Sequence, residues 1–320
     1  MTRTAALSAA IAALALAGGA CANQTPPGTP TTSSGTLFAP YLYLDAPQGP
    51  TLTQVADETG DHSFVLAFIL AGPGGCTPSW NATKAVDDPT ITTQATQFRA
   101  HGGNVIVSSG GANGPYLENA CRSPGELAAA YSKALDAVGS NHLDIDVEDD
   151  IPVEMVNAAL VQLQRDRGTA VTYTLKVENA RQGLTTQAMT VLRSAAADQL
   201  DVTVNAMLMN FDYTGDWGAA MLAAADTAAH QIGEVWPAYD AAQRYSHLGI
   251  TLMIGRNDSG MVTTPDDARR LADYAQGNNI GYVGFWLISR DNGGCPGQQQ
   301  VSDACSGVAQ TSYEYTSVFD

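Results

Sequence analysis

The segment His142-Leu143-Asp144-Ile145-Asp146-Val147-Glu148 alternates aliphatic side chains with polar ones, and three of the polar ones are acids. Side chains along a strand point to opposite faces in turn, so His142, Asp144, Asp146 and Glu148 share one face. Leu143, Ile145 and Val147 share the other, the face that packs under helices. The acids must then point into the interior of a closed sheet, climbing roughly 6.5–7 Å per pair towards its open end. Like charges repel and burial disfavours each of them, so one acid is expected to hold a proton near neutral pH. A general acid needs that state. Asp149, Asp150 and Glu154, which follow without alternation, read as solvated.

The rest of the chain supplies the closed sheet. From Leu37 onward, apolar β-rich runs alternate with helical patterns. The expected strands are Phe38–Leu44, His62–Leu70, Asn104–Ser109, His142–Val147, Ala170–Val177, Val202–Met209, Leu248–Ile254 and Tyr282–Ile288. Helical segments include Pro124–Val138, Val153–Arg165, Thr185–Ala197, Gly218–Ala229 and Pro265–Gln276. Two of them open on start signals, Ser123-Pro124-Gly125-Glu126 and Thr264-Pro265-Asp266-Asp267, with Pro at the first helical position and an acid in the first turn. This count and order predict an α/β fold of the (β/α)8 TIM-barrel kind, as a single domain over 37–320. A doubly wound sheet would use fewer strands and would carry a glycine-rich phosphate loop after the first. Asp45-Ala46-Pro47-Gln48-Gly49-Pro50 has no such pattern. In a barrel, catalytic groups sit at the C-terminal ends of strands, where Glu148 falls.

Charge and the chain ends narrow the partners. The formal net charge is −17 and no cluster of Lys or Arg occurs. Nucleic acid binding rests on basic contacts that release counterions, so it is not expected, whereas a neutral sugar meets no such barrier. Arg3 precedes an apolar run, Ala5 to Ala17, that is too short to span a bilayer. Ala20-Cys21-Ala22 fits a signal-peptidase site, which predicts a signal peptide over 1–22 and a secreted protein. The alternative is a cell-surface lipoprotein acylated at Cys21, against which stands Gly18 where such sites usually carry Leu. The Pro/Thr/Ser/Gly stretch over 23–36 reads as a flexible tether. Export makes disulfides the default for the remaining cysteines. The expected pairs are Cys76–Cys121 and Cys295–Cys305, because each falls in loops that the barrel brings together. Their spacings match no zinc pattern, and alternate residues on one strand spread too far to converge on one ion, so neither metal nor cofactor is expected.

The acidic strand resembles the DxxDxDxE signature of glycoside hydrolase family 18, the chitinases and their relatives. Ser108-Ser109-Gly110-Gly111, closing the third strand, is similar to the family's SxGG. Asn205-Ala206-Met207-Leu208-Met209-Asn210 lies on the sixth strand, where the family has NxMxYD- or QxxYN-like sequences. Gly284-Phe285-Trp286 resembles the strand whose tryptophan floors the sugar site. Leu287-Ile288-Ser289-Arg290-Asp291 is similar to a bacterial and archaeal branch related to processing chitinase domains. The resemblance spans essentially the whole mature chain.

It implies retaining, substrate-assisted hydrolysis of β-1,4-linked N-acetylglucosamine polymers, chitin or chito-oligosaccharides, in which the substrate's own acetamido oxygen replaces an enzyme nucleophile. Glu148 would protonate the glycosidic oxygen, Asp146 would face the oxazolinium cation, and Asp144 would share a proton with Asp146. Trp286 would offer its face to a sugar ring. Met207 counts among the substrate-binding residues, with Asn210, Asp212 or Tyr213 left open as the holder of the acetamido group. The chain departs from the pattern in three places: Asn141 replaces the first Asp, His142 the small residue after it, and Met209 the expected Tyr. His142 reads either as a partner of Asp144 or as a satisfied core histidine. Two other functions stay open, an endo-β-N-acetylglucosaminidase acting on glycans and a non-catalytic sugar-binding barrel.

Overall fold

The computed structural model describes residues 1–2, 35–44 and 49–319. From residue 3 onward, the expected leader over 1–22, with Cys21, and the tether up to Ser34 lie outside the described residues.

The sheet follows the expected order. β1 runs in two pieces, Leu37–Phe38 and Tyr41–Tyr43. Then come β2 (Ser63–Ala71), β3 (Asn104–Gly110), β4 (His142–Val147), β5 (Ala170–Asn179), β6 (Thr203–Leu208), β7 (Leu248–Met253) and β8 (Tyr282–Trp286). Neighbours from β2 through β8 pair in parallel. β1 closes the ring: its first piece pairs with β8 and its second with β2. Ala39 N–H donates to the Val283 carbonyl at 2.9 Å, while Val65 N–H reaches back to the Pro40 carbonyl at 3.0 Å. Pro40, which has no N–H to place, sits where β1 changes partner. This is the (β/α)8 barrel.

Outward faces of the strands are aliphatic and lie under helices. Leu143, Ile145 and Val147 are all buried in the large outer core. The helix before β4, Pro124–Val138, shows how local sequence fixes an element. Ser123 accepts from the Glu126 N–H, Pro124 starts the helix, and Gly139 ends it in the left-handed region. Its buried residues, among them Leu127, Tyr131, Ala134, Leu135 and Val138, recur at helical spacing. Two helices absent from the sequence reading, Leu52–Thr59 and Pro89–Ala100, follow β1 and β2. The first is amphipathic but only eight residues long, and the second is rich in threonine and weakly periodic.

Cys76–Cys121 joins the segments after β2 and β3 across 45 residues, and Cys295–Cys305 closes a loop after β8 across 10. In chain-entropy terms, closures of that length stabilise by about 4 and about 3 kcal/mol.

The C-terminal segment is latched by Asp291. Its buried carboxylate accepts from Gln310 Nε2, Thr316 Oγ1 and the backbone N–H groups of Tyr315 and Thr316, at 2.6–3.1 Å. Phe319 then stacks on Phe38 of β1 at 5.3 Å between centroids. Asp291→Ala would leave two buried N–H groups unpaired. It is expected to lower stability by about 2–4 kcal/mol in urea unfolding, with the Phe319–Phe38 end freed first in hydrogen exchange.

Candidate active site

The alternating strand delivers its acids to the inside of the barrel at three depths. Asp144 is 2% exposed and Asp146 5%, while the Glu148 side chain, just past the end of β4, is 22% exposed.

Asp144 is held by hydroxyls from three other strands. Ser108 Oγ of β3 donates to Oδ2 at 2.6 Å, Tyr41 Oη of β1 to Oδ2 at 2.9 Å, and Thr174 Oγ1 of β5 to Oδ1 at 2.6 Å. Thr174 in turn accepts from Asn205 Nδ2 of β6 at 2.8 Å, and Asn205 exchanges bonds with Thr251 of β7. Burial pushes the Asp144 carboxyl up to about 6, and the three donors limit the rise.

Asp146 has no such support. Its Oδ1 is buried and finds no hydrogen-bond partner among the described residues. Burial, then the neighbouring charges of Glu148 and Asp144, push it well above the usual carboxylate range, against a smaller pull from Lys176. Of the three acids, Asp146 is therefore the one whose charge the resting site supports least. Burial also raises Glu148, opposed chiefly by the Lys176 ammonium and reinforced by Asp258.

The SxGG-like segment explains itself here. A Cβ on Gly110, whose φ is +108°, would lie 2.1 Å from the Asp146 carbonyl oxygen, and Gly111 N–H donates to that oxygen at 3.0 Å. Only glycine lets the end of β3 pass so close to the acid strand. Tyr116 then spans the gap: its hydroxyl donates to the Gly111 carbonyl at 2.7 Å and accepts from the Glu148 N–H at 2.9 Å.

Asp146 and Glu148 line a cleft of about 510 Å³ at the C-terminal end of the strands. Trp286 stands opposite, its ring stacked on Phe68 at 5.6 Å and flanked by Tyr41 and Tyr43. Met207, Met209 and Asn210 also line the wall. Asp212 and Tyr213, offered by sequence as holders of the acetamido group, do not. The chain turns at Asn210 (φ +60°), and buried Phe211 packs on Trp217 at 4.5 Å, which carries both residues to the exposed surface. Asn210 is itself engaged, exchanging hydrogen bonds with Asp258 at 3.0 and 2.8 Å.

The other departures resolve locally. Asn141 sits outside the barrel and donates to the Arg167 and Gly168 carbonyls at 3.0 and 3.2 Å. An ionised Asp has no hydrogen to give there. His142 pairs with Thr172 Oγ1 at 2.8 Å and not with Asp144.

Sequence reasoning missed Lys176 and Asp258. Lys176 follows Thr172 and Thr174 in phase on β5, a signal that alternation carries. Asp258 lies in a loop between β7 and the next helix, where no period exists to place it. Among the described residues, no group of three or more His, Cys, Asp or Glu is arranged to hold a metal ion. No helix among them is long and apolar enough to cross a membrane.

No family model matches the chain. In an alignment of 315 positions that covers 88% of this chain, it is 28% identical to the probable bifunctional chitinase/lysozyme of Escherichia coli. It is also 28% identical, in an alignment of 283 positions that covers 80% of this chain, to endochitinase 11 of Metarhizium anisopliae. It spans only 34% and 52% of those two proteins. Among solved structures, it is similar to active domain 2 of a thermostable Pyrococcus furiosus chitinase, seen as catalytic-site mutants complexed with chito-oligosaccharides. That match has 27% identity and a TM-score of 0.80 over 89% of this chain and 95% of that one.

Burial pulls His142 down to about 4, against ~6.5 in an unfolded chain. Between those values the unfolded state binds more protons, so stability falls as pH drops from about 6.5 to about 4. His142→Gln keeps a donor for Thr172 and cannot titrate. It is expected to lose about 2–3 kcal/mol less than the wild type across that window, read as urea unfolding at pH 7 and at pH 4.

Proposed function

We propose that this chain, a chitinase-like barrel of the glycoside hydrolase family 18 type, hydrolyses β-1,4-linked N-acetylglucosamine chains with retention of anomeric configuration. The observation that carries the proposal is the pairing of Asp146 and Glu148 at the cleft. Glu148 is partly exposed and raised by burial. Beneath it, Asp146 presents a buried oxygen without a partner. A carboxylate in that state suits the acetamido N–H of a sugar bound over Trp286.

In this reading Glu148 gives its proton to the glycosidic oxygen as the C–O bond breaks. The acetamido oxygen closes on the anomeric carbon, and Asp146 stabilises the oxazolinium that forms. Glu148, now a carboxylate, takes a proton from the water that reopens the ring and restores the acetamido group. Asp144 keeps its hydroxyl partners throughout and acts on Asp146 by charge. Trp286, backed by Phe68, supplies a flat apolar surface for the sugar ring. The relatives named as chitinases and the chito-oligosaccharide complexes of the Pyrococcus domain support this substrate class. The cysteine pairs support the reading of an exported protein that the expected signal peptide suggests.

Incubation with chito-oligosaccharides and, in parallel, with a high-mannose glycopeptide separates a chitinase from an endo-β-N-acetylglucosaminidase by the products. Glu148→Gln is expected to lower turnover on the active substrate by roughly 10²–10⁴-fold while leaving sugar binding intact. A variant that keeps more than about a tenth of wild-type turnover would remove Glu148 from the role of acid.

The mechanism has a separate test. Proton NMR of the first products should show the β-anomer from a β-linked chain, because the anomeric carbon is inverted twice. An initial α-anomer would exclude the acetamido group as nucleophile.

A further inference from the structure

On the barrel wall, Lys176 is the β5 neighbour of Glu148. Asp146 pairs in register with Thr174, so the next inward residues on the two strands are Glu148 and Lys176. The Lys176 ammonium donates to the Glu148 backbone carbonyl at 2.9 Å and lies 3.6 Å from Oε2 of its carboxylate. Among the described residues lining the cleft it is the one cation, facing Asp146, Glu148, Asp258 and Asp303.

We propose that Lys176 is a positioning residue for the acid, which orients the Glu148 carboxylate towards the cleft and sets the upper pH limit of hydrolysis. The inference rests on the reading of Glu148 as the acid. A half-exposed ion pair between two flexible side chains contributes little. This pair differs in its anchor, because the hydrogen bond to the carbonyl holds the ammonium in place whether or not the carboxylate is charged. Glu148 is also the more buried partner, so the charge acts through less water.

Four groups face Glu148, and they do not cancel. Asp146 lies below it on the same strand, and Tyr116 holds its N–H from the segment after β3. Asp258, from the loop after β7, opposes Lys176, although the Asn210 amide already binds that carboxylate. Lys176 acts on Glu148 more strongly than Asp258 does, and it is the one that favours ionised Glu148. It makes the acid a readier donor and lowers the pH at which the donor is lost. In the second half of the reaction, the same ammonium steadies the carboxylate that must accept a proton from water.

Three variants separate charge from hydrogen bonding. Lys176→Met removes both, Lys176→Gln retains a donor without charge, and Lys176→Arg retains both. In pH profiles of kcat/KM on a chito-oligosaccharide, the basic limb of Lys176→Met and Lys176→Gln should move up by about 0.5–1 pH unit. The limb of Lys176→Arg should stay with the wild type. If Lys176→Gln tracks the wild type, or if no limb moves, Lys176 is a tether and the proposal falls.

A readout independent of turnover is the ¹³C titration of the Glu148 carboxyl, assigned by the signal lost in Glu148→Gln. The same upward shift is expected in Lys176→Met, and an unmoved midpoint overturns the inference. A wild type that hydrolyses neither test substrate would instead overturn the proposed function, leaving the titration to decide the charge coupling.

Discussion

The interior of this barrel is organised around one buried carboxylate. Moving an unpaired charge out of water costs many kcal/mol, so Asp144 is tolerable only because hydroxyls converge on it. Those hydroxyls come from β1, β3 and β5, and Thr174 extends the network to Asn205 on β6 and Thr251 on β7. Each bond to the ionised group is charge-assisted and short. Sliding β4 along its neighbours would break all of them at once. The network therefore fixes the height of the acid strand in the ring, and with it the height of Glu148 at the rim.

From that fixed point, the same strand sets three different environments within two residue pairs. Asp144 has donors, Asp146 has none on one oxygen, and Glu148 has the cleft and a lysine. Three acids so close together do not ionise independently, and the charge on Asp146 is the least supported at rest. That is an unfavourable arrangement for a folded protein at rest. It becomes favourable when positive charge develops beside Asp146, which is the condition of the proposed reaction. The cost belongs to the fold and the gain to the transition state, the relation that electrostatic preorganisation describes.

The strand order and the acid positions were legible because both rest on periodicity. Alternation placed Asp144, Asp146 and Glu148 on one face, and helical spacing with caps located Pro124–Val138 to the residue. The same alternation held the information for Lys176, two residues beyond Thr174, but a lysine near a strand end reads as solvated unless its neighbour is known. Loops were opaque for a physical reason. Asp212 and Tyr213 stood close in sequence to Asn210, yet a left-handed residue and one buried phenylalanine sent them outward. Asp258 reached the wall through pairing with Asn210, a contact between segments 48 residues apart that no local pattern encodes. In the sequence Asn141 stands out only as a departure from the signature, and its need for an amide appears only with the two carbonyls it serves.

The charge of the cleft bears on which sugars suit it. Asp258 and Asp303 stand on its wall beside the reacting pair, and Lys176 is committed to the carbonyl and carboxylate of Glu148. A polyanionic glycan would approach a chain of net charge −17 and meet further acids inside, with no other Lys or Arg among the described residues lining the cleft to receive it. An uncharged N-acetylated chain meets aromatic surface at Trp286 and Phe68 and loses nothing to that field. In the proposed reaction that field would act on the anomeric centre as it becomes positive, and in the direction of reaction. Under that proposal, acidity that discourages a polyanion at the entrance would also lower the barrier for a neutral chain at the acid.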